Sequence, residues 1–135
     1  MNNKHVIRYW LPLCVYCLLI LIQASCPLPV HALRHIDKPL HFLAYAVLGV
    51  LVFRAINSLP RKIGPVVATI TAVSLSAVIG FGDEIIQIFV PTRTIDRVDF
   101  FYDILGSFSG IVVYVLIILN RKKPDNDPVA PSRDE

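Results

Sequence analysis

Apolar residues fall into four blocks along this chain, and the stretches between them hold nearly all the charge. The first block lies in an uncharged window from Tyr9 to Leu33. The third, Ile63 to Gly82, is also uncharged and ends abruptly at Asp83-Glu84. A bilayer core is crossed by about 20 apolar residues in a helix. The pattern predicts spans at about 9–24, 39–57, 64–88 and 100–120. The second is the weakest, because only Pro39 to Phe53 is free of charge. Arg54 extends it by snorkelling to the interface. The fold class is therefore all-α: a polytopic membrane bundle of about four transmembrane helices.

Composition supports this reading. Of the 135 residues, 55% are hydrophobic and 17% charged, and mean hydropathy is +0.62. Four spans leave no room for a soluble catalytic domain. The sequence pI of about 8.9 does not point to nucleic acid, since the bases flank apolar spans rather than a soluble face. They follow the positive-inside rule instead. With both ends inside, the inner bases are Lys4, Arg8, Arg54, Arg61, Lys62, Arg121, Lys122, Lys123 and Arg133. Only Arg34, Lys38, Arg93 and Arg97 lie outside. Both termini are thus expected in the cytoplasm, with the chain multi-pass in the membrane. A transmembrane domain over 1–123 precedes a proline-rich, charged tail, 124–135, expected to be disordered.

The first block has a second reading. Lys4 and Arg8 before an apolar run resemble a signal peptide, and Ala24-Ser25-Cys26 resembles a lipoprotein cleavage site. Gln23 stands where such a site wants an aliphatic residue, so the span reading is preferred. Cys14-x-x-Cys17 lies inside an apolar span and fits one helical face packing on a neighbour better than a redox or metal pair.

Polar groups recur at helical spacing on the outer side. Asp37, His41 and Tyr45 share a face of span two, which Leu48, Gly49, Val52 and Ile56 continue. Gly80, Asp83 or Glu84, and Gln87 make a similar face on span three. Asp99 and Asp103 open span four. Adjacent acids diverge on a helix, so one of Asp83 and Glu84 is expected to face water and the other the bundle. Ala72, Ser76 and Gly80 on span three, with Gly106 and Gly110 on span four, allow close backbone approach. The expectation is that spans three and four pack tightly and hold their carboxylates near each other.

Each group also has a plain structural reading. His41 bonds a carbonyl at the interface, Arg93 and Arg97 anchor to headgroups, and Asp37 caps span two with Pro39 in the first turn. A paired Asp83-Glu84 beside a long apolar run is harder to explain as structure alone.

The residues resemble the VanZ-like family of small membrane proteins. The resemblance lies in Asp37-Lys38-Pro39-Leu40-His41-Phe42-Leu43-Ala44-Tyr45 with Leu48-Gly49. It continues in Asp83-Glu84-x-x-Gln87-x-Phe89-x-Pro91-x-Arg93, then Asp99 and Gly106 to Gly110, over roughly residues 37–110. The family pattern has an asparagine where this chain has Asp103. An ionised carboxylate only accepts hydrogen bonds, which leaves Asp103 protonated or paired with Lys38 or Arg93. The resemblance implies a four-helix membrane bundle in the cell envelope. It also implies a link to glycopeptide resistance of the teicoplanin type, without supplying a reaction.

Two functional readings follow. In the first, an outer-leaflet enzyme uses Glu84 or Asp99 as general base and His41 as proton carrier. Asp37, Lys38, Tyr45, Asp83, Gln87, Arg93 and Asp103 would then hold a lipid-linked or envelope precursor. In the second, the same cluster is a structural ion network in a binding or scaffold protein. The spacing along the chain matches no metal or cofactor motif, and no nucleic-acid partner is expected. A continuous proton path is disfavoured, because spans two to four carry no ionisable residue between the outer polar level and the cytoplasmic rim.

Overall fold

The computed structural model describes residues 3–26, 37–90 and 97–121. Four helices account for nearly all of them: α1 (Asn3–Ser25), α2 (Asp37–Asn57), α3 (Pro65–Ile88) and α4 (Arg97–Arg121). Each is long and apolar enough to cross a membrane. No strand occurs among the described residues. Arg93 and the tail 124–135 lie outside the described residues.

Local chemistry sets the helix limits. Gly64, in an extended conformation, precedes α3, and Pro65 takes a first-turn position where its missing N–H costs nothing. Asp37 sits in the first turn of α2 and Arg54 in its last, each matching the sign of the helix dipole there. α1 continues through Pro12. It begins before the expected limit at Tyr9, so Lys4 and Arg8 ride on its first turns.

α2 is the central helix. Within its most apolar window 44% of residues are buried, against 6% for α1, which lies at the edge. The core gathers Tyr45, Leu48, Val52, Phe53 and Ile56 of α2 with Ile20, Ala68, Ala72 and Ile111 from the other three helices. Large apolar side chains such as Leu18, Leu43, Val66, Val78, Phe101 and Leu119 point outward. An apolar exterior of this extent is the surface of a protein immersed in lipid.

Packing departs from expectation at one point. Gly106 and Gly110 do not bring α4 to α3. A methyl at Gly106 would collide with the Phe42 carbonyl oxygen, and one at Gly110 with that of Ala46, both on α2. Gly49 returns the contact, its missing Cβ position lying 2.6 Å from the Ser107 carbonyl oxygen. The tight seam is therefore α2–α4, with glycines on both helices. In lipid, where apolar burial drives little, such backbone contact is the main source of association. α3 turns its small stripe inward, with Ala68, Ala72, Ser76 and Gly80 all buried. A hydrogen bond from Tyr16 Oη to the Ala44 carbonyl at 3.0 Å ties α1 to α2.

Candidate functional site

The antiparallel arrangement carries the polar segments to one end. The start of α2 brings Asp37, Lys38 and His41. The end of α3 brings Asp83, Glu84 and Gln87, and the start of α4 brings Asp99 and Asp103. His41, Asp83, Glu84, Gln87, Asp99 and Asp103 are all more than nine-tenths buried. Tyr45 is 1% exposed, one turn deeper on α2 than His41.

A side-chain hydrogen bond joins α2 to α4. His41 Nδ1 donates to Asp103 Oδ1 at 2.9 Å. Asp103 was expected to be protonated or paired with Lys38 or Arg93. It pairs with the imidazole, because the glycine seam lays α4 directly against the His41 face, and Arg93 lies outside the described residues. Lys38 pairs with Asp99, Nζ to Oδ1 at 3.6 Å. Ser107, one turn below Asp103, directs its hydroxyl at the Asp103 and Tyr45 carbonyls, 2.9 and 3.2 Å away. The His41 and Tyr45 rings lie nearly parallel, 8° apart in plane with centroids separated by 6.3 Å. Gly80 of α3 backs this group, as a Cβ there would meet Asp103 Oδ2 at 2.8 Å. Gln87 Nε2 donates to Asp83 Oδ2 at 3.4 Å, a bond along α3.

Asp83 and Glu84 were expected to face opposite environments. Both are buried. α3 is covered by α1, α2 and α4, so diverging side chains still find a neighbouring helix. Asp83 lines a small cavity of about 10 Å³ with Gln23, His41 and Tyr45. That is near the volume one water molecule needs. Gln23, the only amide in the apolar run of α1, was not among the site candidates. Its position two residues before the end of α1 was the available signal. Ser107 was likewise passed over as a small packing residue.

The cluster also forms a donor set that spacing along the chain does not reveal. Asp37, His41 and Asp99 each offer one ligand atom, all within 4.8 Å of one another. With Nδ1 given to Asp103, Nε2 is the ring nitrogen left for a ligand. A carboxylate behind a ligating histidine is a common way to orient it, and two carboxylates with an imidazole suit a divalent cation. The third donor comes from α4, 58 residues along from His41. Chemically, the end of the bundle combines proton acceptors, an imidazole held by a carboxylate and an ammonium group beside Asp99.

The family model described as VanZ/LLP1 matches residues 4–119, nearly the whole chain. Neither a curated protein nor a solved structure matches it. The matched segment includes α1 but for Asn3, all of α2 and α3, α4 but for Asn120 and Arg121, and every described side chain of the polar cluster. The chain is a membrane protein belonging to the VanZ/LLP1 family.

Proposed function

We propose that the polar end of the bundle is an extracytoplasmic pocket that handles a lipid-linked or other component of the bacterial envelope. Both termini then face the cytoplasm, residues 124–135 form a tail there, and the protein sits in the inner membrane. One observation carries the reading: six buried polar or ionisable side chains from three helices meet at one level. Withdrawing a charge from water costs several kcal/mol, so a cluster of this size implies a use for it. In this reading Lys38 and Arg93 hold an anionic headgroup, while Asp37, Tyr45, Asp83 and Gln87 bind its polar parts. Glu84 or Asp99 accepts a proton, and His41, oriented by Asp103, carries it. A link to teicoplanin-type glycopeptide resistance is the phenotype this setting suggests.

A second reading is supported by the His41–Asp103–Ser107 mesh, which ties α2 to α4. The cluster would then be a structural network in a binding or scaffold protein. Glu84→Gln separates the two. It keeps the side chain's size and removes its charge and basicity. With membrane levels unchanged, the chemical reading expects an envelope phenotype, such as teicoplanin tolerance, to disappear. An undiminished phenotype rejects that role for Glu84. Lipid or glycan co-purified with each form, identified by mass spectrometry, would name the ligand class.

A further inference from the structure

The opposite end of the bundle holds a second site that the polar pocket does not involve. Among the described residues α1 and α4 make no contact with each other. Near their ends they leave a cavity of about 360 Å³, lined by Tyr9 of α1, Phe53, Arg54 and Asn57 of α2, and Tyr114 and Ile118 of α4. That volume falls within the roughly 300–1,000 Å³ of small-molecule sites.

Among the described residues, no carboxylate stands beside the charge at this cavity. The Arg54 guanidinium lies 5.8 Å from the Tyr9 ring centroid, and that of Arg8 lies 5.6 Å from the same ring. Neither arginine makes an ion pair or a side-chain hydrogen bond among the described residues. The described carboxylates, Asp37, Asp83, Glu84, Asp99 and Asp103, all sit at the other end. Two guanidinium groups gathered around one phenol ring make a local excess of positive charge that attracts an anion. Phosphate is the anion that guanidinium forks bind best. The hydroxyl-bearing Tyr9 and Tyr114 line the same place, and the Asn57 amide there donates to the Phe53 carbonyl at 2.8 Å.

The surroundings select the form of that phosphate. Phe53 and Tyr114 meet edge to face, 6.2 Å between centroids, and give the cavity an apolar wall. The adjoining helix surfaces carry outward Leu11, Val113 and Ile117, which are lipid-facing. A ligand here has a charged head beside Arg54 and an apolar tail running between two membrane helices. We propose that the cleft binds one anionic phospholipid, its phosphate against Arg54 and an acyl chain along Phe53 and Ile118. Basic pockets between membrane helices are known to hold such headgroups.

The test uses the full chain purified in mild detergent, with phosphatidylglycerol titrated and the adduct followed by native mass spectrometry. The expected result is one retained phosphatidylglycerol, with affinity about tenfold weaker in Arg54→Gln. Arg61→Gln, at the same end but outside the cavity, should change it by less than about twofold. Inorganic phosphate should not displace the lipid. Arg54→Lys, which keeps the charge without the fork, should fall between the native chain and Arg54→Gln, and it guards against misfolding of the latter. Equal retention by Arg54→Gln overturns the proposal. An equal loss in Arg61→Gln also does, because it means diffuse attraction by the basic rim. Displacement by inorganic phosphate would show a free-anion site. Much tighter lipid binding by a chain ending at residue 123 would make the acidic tail the native occupant, again against the proposal.

Discussion

At one end of this bundle, carboxylates from α3 and α4 are packed out of water, and an imidazole and an ammonium group of α2 hold the two on α4. At the other lie Lys4, Arg8, Arg54, Arg61, Lys62 and Arg121, with Arg54 lining a cleft and no described carboxylate at that end. The difference follows from what each charge costs to place. Long basic side chains reach the headgroup layer from a helix end and stay solvated. Short carboxylates within the packed helices cannot, so their burial has to be offset by partners. The polar end therefore depends on helix geometry, and the basic end does not. α2 shows both behaviours, with His41 locked to Asp103 at its start and Arg54 stacked on Tyr9 near its finish.

That contrast predicts a graded response to mutation. The largest effect belongs to Gly106→Leu. No space exists beside the Phe42 carbonyl, so α2 and α4 must separate and the His41–Asp103 contact with them. We expect a loss of about 3 kcal/mol or more, read as a collapse of thermal stability in detergent and a drop in monodisperse protein. A stable Gly106→Leu protein would mean that the glycine seam does not hold the polar end together.

Removing the carboxylate itself comes next. Asp103→Ala leaves the His41 N–H and nearby buried groups without their partner, at a cost of about 1–3 kcal/mol. Asp103→Asn retains an oxygen acceptor and restores the residue the family pattern has there, so it should cost less than Asp103→Ala in the same melt. Reversal of that order would remove the hydrogen bond from the explanation. Lys38→Met should cost no more than about 1 kcal/mol, because the Lys38 side chain is 39% exposed and surface pairs contribute little. Arg54→Gln should be milder still, within about 0.5 kcal/mol, and should leave the envelope phenotype unchanged. A large loss of stability in Arg54→Gln would dissolve the distinction between the two ends.

The sequence makes the helices legible because lipid imposes a simple rule: long apolar runs bounded by charge. It marks α2 equally well, since the face through His41, Tyr45, Leu48, Gly49, Val52 and Ile56 is the one that is buried. Partner choice is different. Gly106-x-x-x-Gly110 announces close packing without naming the helix that fills it, and α2 rather than α3 does so. The His41–Asp103 contact joins residues 62 apart and depends on that choice. The Asp37–His41–Asp99 donor set was hidden for the same reason. The divergence of Asp83 and Glu84 was read as water on one side because a two-sided helix was assumed. α3 has neighbours on several sides, so both acids are covered. Gln23 was missed because one amide in an apolar run looks incidental until α1 is placed beside Asp83.

The most direct check of the charge separation is side-specific labelling of single cysteines in intact and permeabilised cells. The background would lack Cys14, Cys17 and Cys26, and the probe would be a membrane-impermeant maleimide. Val98→Cys, an exposed position beside Asp99, should label in intact cells. Arg61→Cys, exposed at the basic end, should label only after permeabilisation. Labelling of both from the same side would contradict a bundle that holds its acids at one membrane face and its bases at the other.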